Sequence, residues 1–255
     1  MERGRVHHAS ALDDRGRIAV TMAREVEPLI RPVYFRHTAL IVLMVCAGAL
    51  SAQETASRYF ERVSERYESI NDYSADLKIT KGEEIQTATV MYKTPNRLRL
   101  DFVEPDGMVM AVDGEQLQVW VPEYSVTFSQ PLRRESQAQM ATLASSSGLE
   151  LMKRYYTIAY ASSPGPVPLD PGSSEQVVKL RLVWKSNNEG FRELELAIDS
   201  DLRIRRVTGI TTGSETLVFD FTNMVLNQGI PDTRFQYESP PTGNTIENFL
   251  FDPES

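Results

Sequence analysis

The sequence predicts a mainly β domain in which a strongly curved antiparallel sheet accompanies an N-terminal helix and a central helical insertion. Three observations lead there. Up to Ile70 the apolar residues recur every three or four positions; from Tyr73 onward the period falls to two and stays near two. The alternating stretches are short and punctuated by turn formers such as Lys81-Gly82-Glu83-Glu84, Pro105-Asp106-Gly107 and Asp113-Gly114. One segment, Pro131 to Tyr155, interrupts the alternation with a helix-forming run. So many consecutive hairpins let a sheet curl around helices instead of lying flat.

Gln53 to Ile70 reads as an amphipathic helix, with Ala56, Tyr59, Phe60, Val63, Tyr67 and Ile70 on one side and Glu61, Arg62, Glu65 and Arg66 on the other. Asn71-Asp72 ends it. Tyr73, Ala75, Leu77 and Ile79 then alternate with Ser74, Asp76 and Lys78, and Thr87 to Tyr92 follows. After Thr94-Pro95 comes the strictest alternation of the chain, Arg97 to Val103. Met108 to Val112, Leu117 to Val121 and Tyr124 to Phe128 are the next strands. In the insertion, Gln137 to Ala144 is helix-forming, Ser145 to Gly148 reads as a break, and Leu149 to Tyr155 follows. Ser162 to Ser174, rich in Pro, Gly and Ser, reads as a solvated, mobile loop. Strands return at Val177–Trp184, Phe191–Ile198, Leu202–Thr208 and Thr216–Phe221, and the chain closes with Phe235 to Glu238 and a Pro240-Pro241-Thr242-Gly243 tail.

The β domain is expected to begin at Gln53. Thr38 to Leu50 is one apolar run, preceded by Arg31, Arg36 and His37 and followed by Ser51-Ala52, the pattern of a secretory signal peptide. It is short for a membrane span, which needs about 20 apolar residues. Cleavage is expected after Ala52 or Ala49, and Met22 offers a second start that gives a leader of ordinary length. Leu43-Met44-Val45-Cys46 resembles a lipoprotein processing box only loosely, because Val45 stands where a small residue belongs and the apolar run continues past Cys46.

Removal of residues 1–52 takes away all three histidines and the only cysteine. It also takes 7 of 27 basic and 5 of 35 acidic side chains, leaving 20 against 30 and a net charge of −10. Without His or Cys there is no Ser-His-Asp triad, no thiol nucleophile and no ordinary zinc site. The negative balance disfavours nucleic acid and anionic membrane surfaces. No enzyme, cofactor or metal site is expected. The remaining catalytic candidates are carboxylates: Glu193 and Glu195 share one strand face, with Asp199 and Asp201 at the following turn. Leu194, Leu196 and Ile198 occupy the opposite face, which puts the glutamates outside, where Arg203, Arg205 and Arg206 can pair with them.

The apolar strand face has two readings. Leu98, Leu100, Phe102, Met108, Met110, Leu117 and Val119 can pack on the N-terminal helix as an ordinary core, or line a ligand cavity. The frequent methionines (Met91, Met108, Met110, Met140, Met152) suit an adaptable apolar surface.

Lys93-Thr94-Pro95-Asn96-Arg97-Leu98-Arg99-Leu100-Asp101-Phe102, then Glu104-Pro105, Val112-Asp113-Gly114 and Val119-Trp120-Val121-Pro122, resemble in order and spacing the LolA family of periplasmic lipoprotein carriers. Tyr73-Ser74-Ala75 resembles the family's start, and Phe219 to Phe221 with Phe235 to Pro241 its end; the likeness spans most of residues 53–250 and is densest over 90–122. It implies a half-open antiparallel β-barrel closed by a helical lid. It also implies an apolar cavity for the acyl chains of lipoproteins, lined by Leu98, Leu100, Phe102, Met108, Met110 (or its neighbour Val109) and Val119, with Met140 and Leu143 on the lid. The implied protein is a periplasmic monomer that takes acylated lipoproteins from an inner-membrane ABC transporter of the Lol type and passes them to an outer-membrane acceptor. The alternative for this fold is an envelope sensor or receptor of lipids or lipoproteins. Arg133-Arg134 reads as a solvated helix start or as a contact for the transporter or for lipid headgroups. One departure stands out: the family carries an arginine directly before the Pro-Asn pair, where it fastens the lid, and this chain has Thr94 with Lys93 beside it. The lid is therefore held more weakly here, or by other residues.

Overall fold

The computed structural model describes residues 53–132, 145–186 and 190–249, all within the unit Gln53–Ser255. The leader, Arg133-Arg134, Gln137 to Ala144 (with Met140 and Leu143) and the last six residues lie outside the described residues.

Helix α1 (Ala56–Glu68) is capped by Thr55, whose hydroxyl accepts the N–H of Arg58 at 3.3 Å. It buries Tyr59, Phe60, Val63 and Tyr67, the expected stripe. Then come β1 (Asp72–Lys81), β2 (Glu84–Lys93), β3 (Arg97–Glu104), β4 (Val109–Val112), β5 (Gln116–Val121) and β6 (Val126–Pro131). Helix α2 (Ser146–Tyr155) runs directly into β7 (Tyr156–Tyr160). The short β8 (Val167–Pro168), β9 (Gln176–Trp184), β10 (Phe191–Ile198), β11 (Ile204–Thr211), β12 (Thr216–Leu226) and β13 (Asn244–Glu247) complete the fold.

The strands form one open, curved sheet in the order β13-β6-β5-β4-β3-β2-β1-β12-β11-β10-β9-β7, with β8 beside β7 along β9. It does not close into a barrel. On its inner face α1 and α2 pack against β1, β2 and β9–β12, and Phe60, Val63, Leu149, Leu180, Leu182, Leu196, Ile198, Ile204 and Val207 are fully buried there. Tyr67 ties helix to sheet: its hydroxyl accepts the N–H of Ile204 at 3.0 Å.

Five local expectations change. Ser145 does not break the insertion but starts α2, its side chain accepting the N–H of Gly148 at 3.1 Å. Tyr124 sits in a one-turn 3₁₀ helix, Pro122–Tyr124, so that β6 starts two residues later. The Ser162–Ser174 loop is fastened: β8 pairs with β9, Arg206 Nη1 reaches Asp170 at 2.6 Å, and Lys179 Nζ donates to the carbonyl of Leu169. Phe235 to Glu238 is not a strand. Phe235 ends a 3₁₀ turn, Asp232–Phe235, and is fully buried with Met91 and Ile230. The tail after Pro241 carries β13, which joins β6 in parallel, the one parallel pair among the described strands.

Between β12 and β13 the chain forms a strap across the outer face of β1–β6. The buried Asp72 carboxylate accepts the N–H groups of Gln228, Gly229 and Ile230 at 2.7, 3.0 and 3.3 Å. Lys93 Nζ meets Asp232 at 2.6 Å, and Arg99 Nη1 donates to the carbonyls of Arg234 and Gln236. Gly243 then lies on the Trp120 ring so closely that a Cβ would meet it at 2.8 Å.

Candidate functional site

The register lines up one cross-strand row over seven strands on the inner face: Ala75, Val90, Leu100, Met110, Val119, Phe128 and Ile246. All are apolar, yet their exposure climbs along the row. Ala75 and Val90 are 3% exposed and Leu100 7%; Met110, Val119 and Phe128 are half-buried; Ile246 is 44% exposed. A parallel row repeats the trend. Leu77, Ala88 and Phe102 are buried, whereas Met108 (whose carbonyl accepts the N–H of Phe102), Val121 and Val126 are half-buried. Beyond β6, Phe249 places its ring 5.3 Å from that of Phe128. The inner face is thus a packed core beside β1 and β2 and an open apolar surface over β4, β5, β6 and β13.

The sequence-derived lining falls on this boundary. Leu100 and Phe102 belong to the buried cluster beneath α1, and Leu98, Met108 and Met110 pack against its margin. Val119 and Met110 also border a small cluster of Val112, Leu117 and Leu132 that closes the lower end. Met91 faces the other way, under the strap, and Met152 is buried in α2. Four apolar residues of the open surface had no place in the expected lining: Val121, Val126, Phe128 and Ile246. The alternation around Phe128 was visible in the sequence; nothing local marked Ile246, because a four-residue parallel strand has no hairpin to announce it. Among the described residues, two recessed pockets lie away from this face. A polar one of about 600 Å³ sits between Asn96, Arg97, Asp113, Glu115 and Asp232, and another of about 410 Å³ lies on the outer face around Lys78, Thr87 and Arg206. Among the described residues the candidate site is an apolar face, half-exposed over β4, β5 and β6.

The helix beside this face is fastened by hydroxyls. Tyr92, at the end of β2, donates to the carbonyl of Pro95 at 3.3 Å. Burial pushes its pKa upward, and hydrogen bonds with the side chains of Ser146, Thr94 and Ser145 partly offset that rise. Thr94 therefore stands within a neutral hydrogen-bonded cluster that joins the start of α2 to the end of β2. A second tie is an ion pair, Lys153 Nζ to Glu61 Oε1 at 2.8 Å, between α2 and α1. The carboxylates weighed as catalysts are on the outer face, as expected, but with other partners: Glu193 pairs with Arg181 at 2.7 Å and Glu195 with Lys179 at 3.7 Å, both on β9. Arg203, Arg205 and Arg206 pair instead with Asp199, Glu175 and Asp220.

The family model described as outer membrane lipoprotein carrier protein LolA matches residues 77–238. The chain belongs to the LolA family. The match runs from the middle of β1 into the strap and includes most of the open face, leaving out α1 and β13. A search of curated proteins returns no match. Among solved structures, an uncharacterized conserved protein from Thermus thermophilus is similar at 14% identity and a TM-score of 0.49, over 73% of this chain and 98% of that one. The Pseudomonas aeruginosa MucA/MucB complex is similar at 13% and 0.45, over 72% of this chain and 61% of the matched one. A LolA superfamily protein from Nitrosomonas europaea is similar at 14% and 0.38, over 72% and 98%.

Proposed function

We propose that this LolA-family protein carries lipoproteins by holding their acyl chains on the open half of the inner face. The observation that supports this most directly is the exposure gradient along the row from Ala75 to Ile246: a continuous apolar surface that is core at one end and solvent-facing at the other. Hydrocarbon gains about 0.8 kcal/mol per buried CH₂. A chain lying on an open face is covered on one side only and gains less, which suits a cargo that must be released.

In this reading Leu98, Met108, Met110 and Val119 touch the acyl chains, Leu100 and Phe102 form the floor, and the segment carrying Met140 and Leu143 acts as the lid. The protein works in the periplasm after loss of residues 1–52, receiving cargo from an inner-membrane ABC transporter of the Lol type and passing it to an outer-membrane acceptor. No cofactor takes part. Native mass spectrometry of the protein purified from a Gram-negative envelope tests this. A bound mass of a triacylated polypeptide, lost on mild activation, is the expected result. An unliganded mass that also takes up no fluorescent fatty acid would refute acyl carriage and favour the envelope-sensor alternative.

A further inference from the structure

The free edge of β13 is built unlike the other edge of the sheet. Asn244 and Asn248 donate their N–H groups to the carbonyls of Ser125 and Ser129, both at 2.9 Å. In an extended strand a residue's N–H and C=O point to one side and successive residues alternate. Thr245 and Glu247 therefore aim theirs away from β6, and among the described residues no strand pairs with that side. Edge strands are usually blunted by lysine, proline or a bulge. β13, Asn-Thr-Ile-Glu, is short and carries Glu247, but it has no lysine, proline or bulge and keeps register with β6 over all four residues. At the opposite edge, β7 lies against α1, with the Tyr160 hydroxyl donating to the carbonyl of Glu54 at 3.1 Å, and carries no large exposed apolar side chain. β13 carries Ile246, and Phe249 follows at 37% exposure.

Two chemistries thus meet on one strand. Unpaired backbone groups in strand register are satisfied by another extended backbone, and the Ile246 side chain continues the apolar face. A molecule that offers both is an acylated peptide. We propose that the edge of β13 pairs with the extended segment joining a lipidated residue to the rest of its protein, while the acyl chains lie on the inner face beside it. The inference rests on the acyl-binding reading and adds where the polypeptide part of the cargo goes. Glu247 on the strand, and Glu123 in the turn whose Ser125 carbonyl receives Asn244, make this edge acidic. A neutral or basic segment fits it and an acidic one does not.

The test compares four probes on the unaltered protein, by displacement of a fluorescent fatty acid: free palmitate, an N-palmitoylated octapeptide of serine and threonine, and two versions of that peptide N-methylated at alternate residues in opposite phases. The peptide is expected to bind roughly tenfold tighter than palmitate, because two to four net hydrogen bonds each contribute a few-fold. N-methylation is expected to abolish that gain in one phase only, since an edge-paired strand turns alternate N–H groups toward its partner. Thr245→Pro, which removes an N–H directed away from β6 and so spares the ladder, is expected to abolish the gain and leave palmitate binding unchanged. Equal binding of palmitate and peptide, or equal effects of both methylation phases, would overturn the edge inference while leaving acyl binding intact. Failure of all four probes to bind would instead sink the acyl-binding reading itself. A concentration-dependent dimer that Thr245→Pro turns into a monomer, with no effect on the peptide, would assign the edge to a second copy of this chain and overturn the proposal.

Discussion

In β9–β12 and β1 the inner face lies under two helices, while the outer face meets water through ion pairs such as Arg181–Glu193 and Arg206–Asp170. In β4–β6 the arrangement is reversed. The outer face lies under the strap, with Thr127 and Ser129 buried and Gly243 against Trp120, and Met110, Val119 and Phe128 on the inner face are left half-exposed. A sheet needs burial on at least one face to hold its strands together, and either face will serve. Because the strap supplies that burial from outside, the inner face of β4–β6 need not be filled by the protein's own side chains. Burial and exposure are thereby assigned to opposite faces of the same strands.

The comparison breaks most visibly if charges are placed at equivalent inward positions of the two halves. Leu196→Asp, on β10, puts an unpaired carboxylate into a fully buried site and is expected to cost several kcal/mol, enough to unfold a protein of ordinary stability. Val119→Asp, on the half-exposed stretch of β5, is expected to fold with a melting temperature within a few degrees of wild type while lowering fatty-acid binding more than tenfold. Circular dichroism melts and a fluorescent fatty acid read both. If Val119→Asp also unfolds the protein, the face is core and the two halves do not differ.

Asp72→Ala is expected to have the next largest effect. Three strap N–H groups lose their shared acceptor, a loss of about 2–3 kcal/mol. The two tryptophans separate the halves, since Trp120 lies under the strap and Trp184 packs against the helical core. In single-tryptophan versions, Trp120 emission should shift to the red and Trp184 emission should not. Tyr92→Phe is smaller, about 1 kcal/mol. It removes the hydroxyl that joins Ser145 and Ser146 to Thr94 and is expected to speed amide exchange in the first turn of α2, with little change in β9–β12. Uniform acceleration across the sheet would show that Tyr92 supports the core rather than the helix start.

How far the sequence reveals all this depends on the range of the interactions concerned. α1, β1–β5 and β9–β12 were legible because period-two and period-3.6 patterns record which side of an element is buried, whatever that side is buried against. The family could be read in the same strands, and with it the open curved sheet. The strap escaped because it has no periodic pattern and is held at single points by distant residues: Asp72 grips Gln228 to Ile230, and Lys93 grips Asp232. Pattern alone also cannot say where one apolar row passes from core to surface. Leu100 and Met110 face each other across β3 and β4 with the same character and differ only in what lies above them. The start of α2 misled for another reason, since a serine run reads as a break until its N-cap geometry is seen.

The smallest expected effect follows from the electrostatics of the strap. A hydrogen bond from Lys93, with the Arg97 guanidinium nearby, holds the Asp232 carboxyl below the ordinary aspartate range. A group whose pKa is depressed by folding contributes stability that is complete above its unfolded pKa, about 3.9, and is lost as pH falls through the lower folded value. Trp120 emission is therefore expected to stay constant from pH 8 to about 5 and to move toward its strap-released value only below about 4. Trp184 reports the other half, where Glu61, Asp170 and Glu193 are likewise held low by Lys153, Arg206 and Arg181, so any change in its emission is expected over the same acid range and not above it. Asp232 is itself exposed, so the contribution is screened and should shrink further in high salt. Asp232→Asn should show the acid value of Trp120 already at neutral pH. If it titrates like wild type, the anchor lies elsewhere along the strap, and Asp72 holds the open half together without help from this pair.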